Sequence, residues 1–256
     1  MIEALHPVSQ APFSVAAFSC QKAGNARTEY EDAWAIRGCR VAIADGATES
    51  SFSALWAGLL VESFVRGRSS GPDFFERLRG IRRLWWRKIS GRPLPWYAAE
   101  KAGKGAYAAF VGLSLSAVSR GWRAVAIGDC CLFHVTGMKL LQSFPLTHSE
   151  QFGSSPFLVG SIQRPDDDPL PHVRMYEGIL RGADTLFLAS DALAAWLLRC
   201  AERGSPAWEW IGVGVQTQDD FDHLVAHARD DGTRNDDMTL VRLTRGPGLD
   251  ADGDQP

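Results

Sequence analysis

Four strand-like runs, residues 107–116, 122–128, 131–136 and 139–142, follow one another across short turns that carry Gly121, Gly128 and Gly137. Connections this short leave no room for a crossover helix, so the runs are expected to form an antiparallel meander. Earlier runs at 13–20 and 33–44, the second broken at Gly38, read as adjacent strands, and strand character resumes at 172–180, 185–189 and 238–243. Helical periodicity separates these groups. Phe52, Leu55, Trp56, Leu59, Leu60 and Phe64 recur at three- and four-residue steps, which predicts a helix with one buried face. A second such pattern, Phe74, Phe75, Leu78, Ile81, Leu84 and Trp85, carries Arg77, Arg79, Arg82, Arg83, Arg87 and Lys88 and ends at the Gly- and Pro-containing residues 91–95.

Further helical patterns cover 192–202, 206–213 and 219–230, while 147–171, with four prolines and Asp166, Asp167 and Asp168, reads as a loop-rich excursion. Strands, a helix pair, strands, helices and a last strand give an α+β domain with helices on antiparallel sheet faces. One domain over residues 1–245 is expected, with a flexible tail of Gly, Pro and Asp at 246–256.

Composition narrows the functional classes. At 45% hydrophobic and 22% charged, the 256 residues are of ordinary globular composition, and no apolar run is long enough to span a membrane. The start, Met1-Ile2-Glu3, lacks a positive region ahead of an apolar core, so a cytoplasmic location is the expectation. Five cysteines with no C-x-x-C spacing encode neither a disulfide framework nor a structural zinc site. The net charge of −3 is uneven: residues 66–104 hold eleven Lys/Arg against three Asp/Glu, leaving about −11 on the rest of the chain. No nucleic-acid recognition motif accompanies the basic segment, which reads first as a solvated helix face. Neither nucleic acid nor membrane is expected as a partner.

Four acidic positions carry the chemistry: Glu31-Asp32 ahead of one strand, Asp45-Gly46 after another, Asp191 after a third, and Asp236-Asp237 ahead of the last. Singly, each is more often a turn former or helix cap. Together, carboxylates at strand ends can converge at one sheet edge, where hard divalent cations find several oxygen ligands and can clamp a phosphoryl group.

These segments resemble the PPM-type (type 2C) metal-dependent Ser/Thr protein phosphatases. The resemblance rests on Gly24-x-x-Arg27-x-x-Tyr30-Glu31-Asp32-Ala33, the segment Val41-Ala42-Ile43-Ala44-Asp45-Gly46, the segment Ala124-Val125-Ala126-Ile127-Gly128-Asp129-Cys130, then Leu186-Phe187-Leu188-Ala189-Ser190-Asp191, and Asp236-Asp237-Met238-Thr239-Leu240-Val241, in family order across nearly the whole chain. It implies an α-β-β-α sandwich with a binuclear Mn²⁺ or Mg²⁺ site at one edge. By that match Asp45 bridges two ions, Asp191 and Asp236 serve one, and Glu31 with the Gly46 carbonyl serves the other. Asp129 matches the position that helps hold a third, weaker ion, Asp32 the one that orients water, and Arg27 the phosphate-binding arginine. The implied reaction is attack of metal-activated water on phosphoserine or phosphothreonine of a protein, with a Ser/Thr kinase or its target as partner. It needs no phosphoenzyme, and Cys130-Cys131 reads as core: a cysteine phosphatase loop would need Arg at 136 or 137, where Thr136 and Gly137 stand.

The pattern also departs from the family. The usual Asp-Gly-x-Gly-Gly loop reads Asp45-Gly46-Ala47-Thr48-Glu49, and Ala47 stands where many members carry a general-acid His. Ala192 follows Asp191 in place of Gly, Asp237 follows Asp236 in place of Asn, and Tyr30 replaces the common Asn. Two other classes remain open: a pseudophosphatase that binds phosphoproteins, and a hydrolase of small phosphoesters. His148 in Thr147-His148-Ser149 partly matches an Asp-His-Ser family sequence, although a surface role is the blander reading. His172, His223 and His227 form no convergent pattern, and the tryptophans, Trp85-Trp86 and Trp96 among them, read mainly as packing.

Overall fold

A computed structural model describes residues 13–245 apart from 49, 68–70, 94, 117–118, 154 and 166, so the expected flexible tail lies outside the described residues. Two antiparallel sheets form the middle of the molecule. The first joins β1 (Phe13–Cys20), β11 (Met238–Arg245), β10 (Asp184–Ala189), β6 (Cys131–Thr136) and β7 (Lys139–Phe144) in that order. The second joins β2 (Ala33–Arg37), β3 (Arg40–Gly46), β4 (Tyr107–Leu115), β5 (Gly121–Ile127) and β9 (Arg174–Ile179), with the two-residue β8 (Val159–Gly160) pairing β4.

The strand sequences explain the layering. Side chains alternate across a strand, and in the central strands β3–β6 and β10 both sets are mainly apolar, as expected when both faces are covered. Val41 and Ile43, Val111 and Leu113, Leu186 and Leu188, and Val241 and Leu243 belong to one buried cluster shared by the two sheets. The intervening residues of β3–β5 pack in a second cluster with α1 (Ser53–Arg66) and α3 (Leu78–Ser90), and those of β10 and β11 pack in a third with α5 (Asp191–Glu202) and α7 (Gln218–Asp230). The result is the expected α-β-β-α sandwich. Close approach is built into it: a Cβ on Gly112 of β4 would lie 2.6 Å from the Phe64 ring of α1, so only glycine allows that contact.

Several local expectations change. β1 does not lie beside β2; it pairs β11 from Phe13↔Arg245 to Cys20↔Met238, in the other sheet. The expected meander is also two hairpins rather than one. β4 and β5 pair in one sheet and β6 and β7 in the other, and the chain crosses between sheets at 128–130. Gly128 makes that step with φ +89, where a Cβ would come within 2.7 Å of Ala109. The basic helix is divided at Arg77 into α2 (Asp73–Glu76) and α3, and an unforeseen helix, α4 (Trp96–Gly103), follows Pro95. The 206–213 pattern is a short α6 (Ala207–Glu209) continued by a π turn at Trp210–Gly214. The loop-rich region 147–171 stands, holding two 3₁₀ turns and β8 among its described residues.

Candidate metal centre

β3 ends at one edge of its sheet in Asp45-Gly46, and α1 begins seven residues on, at Ser53. Gly46 permits a close approach here: a Cβ there would sit 2.8 Å from the Glu31 carbonyl oxygen and 2.9 Å from Ser53. The residues before β2 are thereby held against the start of α1, and Ser53 Oγ donates to Glu31 Oε1 at 2.6 Å. At the ends of β10 and β11, Thr239 N donates to Ser190 Oγ at 2.9 Å, which brings Asp191 alongside Asp236 and Asp237. Burial raises the Asp45 carboxyl well above its usual range, and the nearby charges of Asp32, Asp191 and Asp236 push it the same way. Glu31, Asp32, Asp45, Asp191 and Asp236 thus gather at one edge.

Asp32 is buried and accepts from Thr239 Oγ1 at 2.6 Å through Oδ2, while its Oδ1 has no hydrogen-bond partner among the described residues. Burial pushes its carboxyl up to about 7 against the Thr239 hydrogen bond. Tyr30 accounts for one family departure. Its hydroxyl hydrogen-bonds Thr239 Oγ1 and reaches Asp32 Oδ2 at 3.5 Å, so it braces Asp32 from the side. Asp237, the other acidic departure, accepts from Lys22 N at 2.8 Å and Glu31 N at 2.7 Å; its two oxygens tie the loop before β2 to the start of β11.

Asp129, on the Gly128 turn, is buried, and burial together with the Asp191 charge lifts it to about 7. It lines a cavity of about 270 Å³ with His172, Arg174 and residues of the 147–171 loop, so this loop covers the Asp129 side of the edge. Arg27 stands on the exposed 3₁₀ turn Arg27–Glu29, at the entry to the Glu31 segment.

Two cations missed in the sequence enter the cluster. Lys22 Nζ lies 3.1 Å from Glu31 Oε2 and 3.1 Å from Asp236 Oδ1, and it also bonds Thr48. Burial opposes its charge, but Asp236 and Glu31 outweigh this and hold its pKa above the usual lysine value. Arg234 bridges Asp191 Oδ2 and Asp236 Oδ2, the latter at 2.7 Å. A signal was present, since Lys22 and Arg234 each sit two residues ahead of a quoted motif position, Gly24 and Asp236.

The donor set is hard carboxylate oxygen with one backbone carbonyl, and the orphaned Asp32 oxygen fits an occupant at this edge; this chemistry suits Mn²⁺ or Mg²⁺. As arranged, with an ammonium and a guanidinium between the carboxylates, no three His, Cys, Asp or Glu side chains among the described residues form a ready-made cage for an ion. Lys22 and Arg234 instead balance these carboxylates from within the chain.

The remaining candidates have structural surroundings. Cys130 and Cys131 are buried and burial pushes both thiols up, so neither supplies a thiolate. His148 is exposed, and Ser149 beside it bonds Glu202 at the far end of α5 from Asp191, roughly 16 Å of helix away. His227 packs edge-on to Trp196 and Trp210, and His172 stacks on Phe157. Trp85 is fully buried, whereas Trp86 and Trp96, expected to pack, are 52% and 79% exposed.

A pH prediction follows for the metal-free protein. The folded carboxyls of Asp32 and Asp129 titrate near 7, against 3.8 for a free aspartate, so the folded state binds more protons than the unfolded one between these values. Their contribution to stability is complete below the unfolded pKa and is lost as pH rises through the folded one. With a chelator, the melting temperature is expected to fall by about 5 °C or more between pH 5 and pH 8. Manganese should pair with the ionised carboxylates, so its stabilising increment should widen over the same range. A chelated melting temperature flat with pH would contradict the arrangement.

The fold is shared with bacterial phosphatases. The serine/threonine phosphatase PstP/Ppp of Mycobacterium tuberculosis superposes with a TM-score of 0.58 at 14% identity over 90% of this chain and 97% of that one. The catalytic domain of PstP in complex with two manganese ions gives 0.57 at 14% identity, over 90% and 97% of the chains. The PPM Ser-Thr phosphatase MsPP of Mycobacterium smegmatis gives 0.55 at 17%, over 93% of this chain and 100% of that one. No family model matches the sequence, and no curated protein matches it. At these identities the likeness establishes the sandwich fold of the PPM-type Ser/Thr phosphatases.

Proposed function

We propose that this chain is a divergent PPM-type protein Ser/Thr phosphatase that hydrolyses phosphoserine and phosphothreonine with two Mn²⁺ or Mg²⁺ ions, and with a third at Asp129. The observation that carries the reading is the gathering of Glu31, Asp32, Asp45, Asp191 and Asp236 from separate strand ends at one edge of a sandwich shared with such enzymes. When bound, the ions would lower the pKa of water and screen the phosphoryl charge. Asp45, with Asp191 and Asp236 on one side and Glu31 with the Gly46 carbonyl on the other, would hold them. Asp32, fixed by Thr239 and Tyr30 with one oxygen free, would accept a hydrogen bond from water at the edge. Arg27, on an exposed turn, would grip phosphate oxygens with its planar fork. Ala47 carries no proton to give, so the leaving serine or threonine oxygen takes its proton from solvent or another group.

One observation favours a second reading. Lys22 and Arg234 already balance Glu31, Asp191 and Asp236, as suits a phosphoprotein-binding pseudophosphatase. Turnover of a phosphothreonine peptide with Mn²⁺, Mg²⁺ or chelator separates the two. Metal-dependent hydrolysis exceeding that of free nucleotides is the expected result. Phosphopeptide binding without turnover would establish the second reading, and a preference for nucleotides would make the chain a small-phosphoester hydrolase. A phosphoprotein partner and a location in the cytoplasm are part of this proposal. Among the described residues, no helix is long and apolar enough to cross a membrane.

A further inference from the structure

α3 buries Leu78, Ile81, Trp85 and Ile89. At 100° per residue, Arg79, Arg83 and Arg87 then fall together on a flank turned away from that core, with Arg82 and Trp86 beside them. This flank and Ile162 and Gln163, just beyond β8, line a groove of about 1150 Å³. Arg79, Arg83 and Arg87 are exposed, and among the described residues none has a carboxylate within ion-pair distance. Trp86 stands 52% exposed among them. Arg82 differs: it is half-buried, and its Nε donates to the Gly160 carbonyl at 3.0 Å, so it fastens the helix to the opposite wall.

Three guanidinium groups at four-residue steps, without an ion-pair partner among the described residues, repel one another around an exposed indole, and an anionic occupant would relieve this. We propose that the groove docks an acidic segment of a partner protein, with its carboxylates on Arg79, Arg83 and Arg87 and an apolar side chain on Trp86. Charge complementarity favours this occupant over a long polyanion, because the rest of the chain carries about −11 and would repel a nucleic acid extending beyond the groove. The helix that carries the groove is tied to the carboxylate edge. Trp85 Nε1, from the buried side of α3, reaches the Phe52 carbonyl at 3.4 Å, and the next residue, Ser53, bonds Glu31. A segment docked here belongs, under the phosphatase reading and resting on it for this point alone, to the phosphorylated substrate.

The test needs neither metal nor a phosphoryl group. A labelled, unphosphorylated peptide of about twelve residues, rich in glutamate with one leucine, is titrated with the full chain in chelator and followed by fluorescence anisotropy. Binding that weakens with salt is expected, as are a loss of at least about tenfold in Arg83→Glu/Arg87→Glu and about threefold in Trp86→Ala. Unchanged melting temperatures would show that both variants fold, and Arg83→Gln/Arg87→Gln serves if charge reversal does not. Equal binding by the variants, no binding by the parent chain, or displacement by a single-stranded oligonucleotide of equal charge at lower concentration than by unlabelled peptide would overturn the proposal. A chain that binds this peptide yet hydrolyses nothing would refute the phosphatase reading and leave the groove standing.

Discussion

Asp45→Asn is expected to lower metal-stimulated hydrolysis of a phosphothreonine peptide by about 10³-fold or more, while raising the melting temperature of the metal-free protein. The opposite signs have one cause. Asp45 is the only one of the gathered carboxylates whose proposed place is between both ions, so an uncharged amide there removes a shared ligand from each. Without metal the same carboxyl is a liability: burial and the charges of Asp32, Asp191 and Asp236 all disfavour its ionised form. An isosteric amide removes this conflict and should stabilise the chelated fold by about 1–2 kcal/mol. Activity is read with peptide and Mn²⁺, stability by melting in chelator. Loss of activity with lowered stability would make Asp45 a structural residue; unchanged activity would remove it from the site.

How much of this was legible in the sequence depends on what periodicity can record. It located most strands, because the central strands are short apolar runs, and it located α1 by its single buried face. It could not say which sheet a strand enters, because the two sheets share an apolar face and their strands look alike in sequence. In sequence β1 therefore reads as a neighbour of β2, whereas it pairs β11 more than two hundred residues later. The crossing at Gly128 is likewise a matter of contact, a glycine against Ala109, and reads in sequence as one more turn. α4 was missed because a proline-rich stop hid the helix formers at 98–102 just behind it.

The carboxylates at the site were legible because strand ends are visible and acids there stand out. Their counter-ions were not, because a lone Lys or Arg near an acid is the commonest surface arrangement in proteins. Tyr30 and Asp237 show the same limit from the other side. In sequence each is only a departure from the family pattern, whereas in the structure Tyr30 braces Asp32 and Asp237 holds two backbone amides. Only the pairing of β1, β10 and β11 makes these partners neighbours.

Lys22→Met is expected to raise the affinity for Mn²⁺ by tenfold to a hundredfold, on the order of 1–3 kcal/mol, while lowering the melting temperature in chelator. The ammonium bonds Glu31, proposed for one ion, and Asp236, proposed for the other, so it competes with both. It cannot easily withdraw. Its side chain is only 12% exposed, and its own backbone N–H is held by Asp237 at 2.8 Å. Arg234 makes similar ion pairs from a side chain that is 60% exposed, so it can swing into solvent at little cost, and Arg234→Ala should change metal affinity by a smaller factor. Methionine keeps most of the length and the apolar stem of Lys22 and removes the ammonium with its charge and hydrogen bonds. Without metal, the carboxylates lose their internal counter-ion and the fold weakens; with metal, a competing charge is gone. Calorimetric titration of Mn²⁺ into chelator-stripped protein reads the first effect, and melting reads the second. Weaker metal binding in the variant would mean that Lys22 arranges the carboxylates and does not compete for them. A parent chain that binds no Mn²⁺ beside a Lys22→Met variant that does would identify the lysine as the group that turned a metal centre into a self-neutralised phosphoprotein-binding edge.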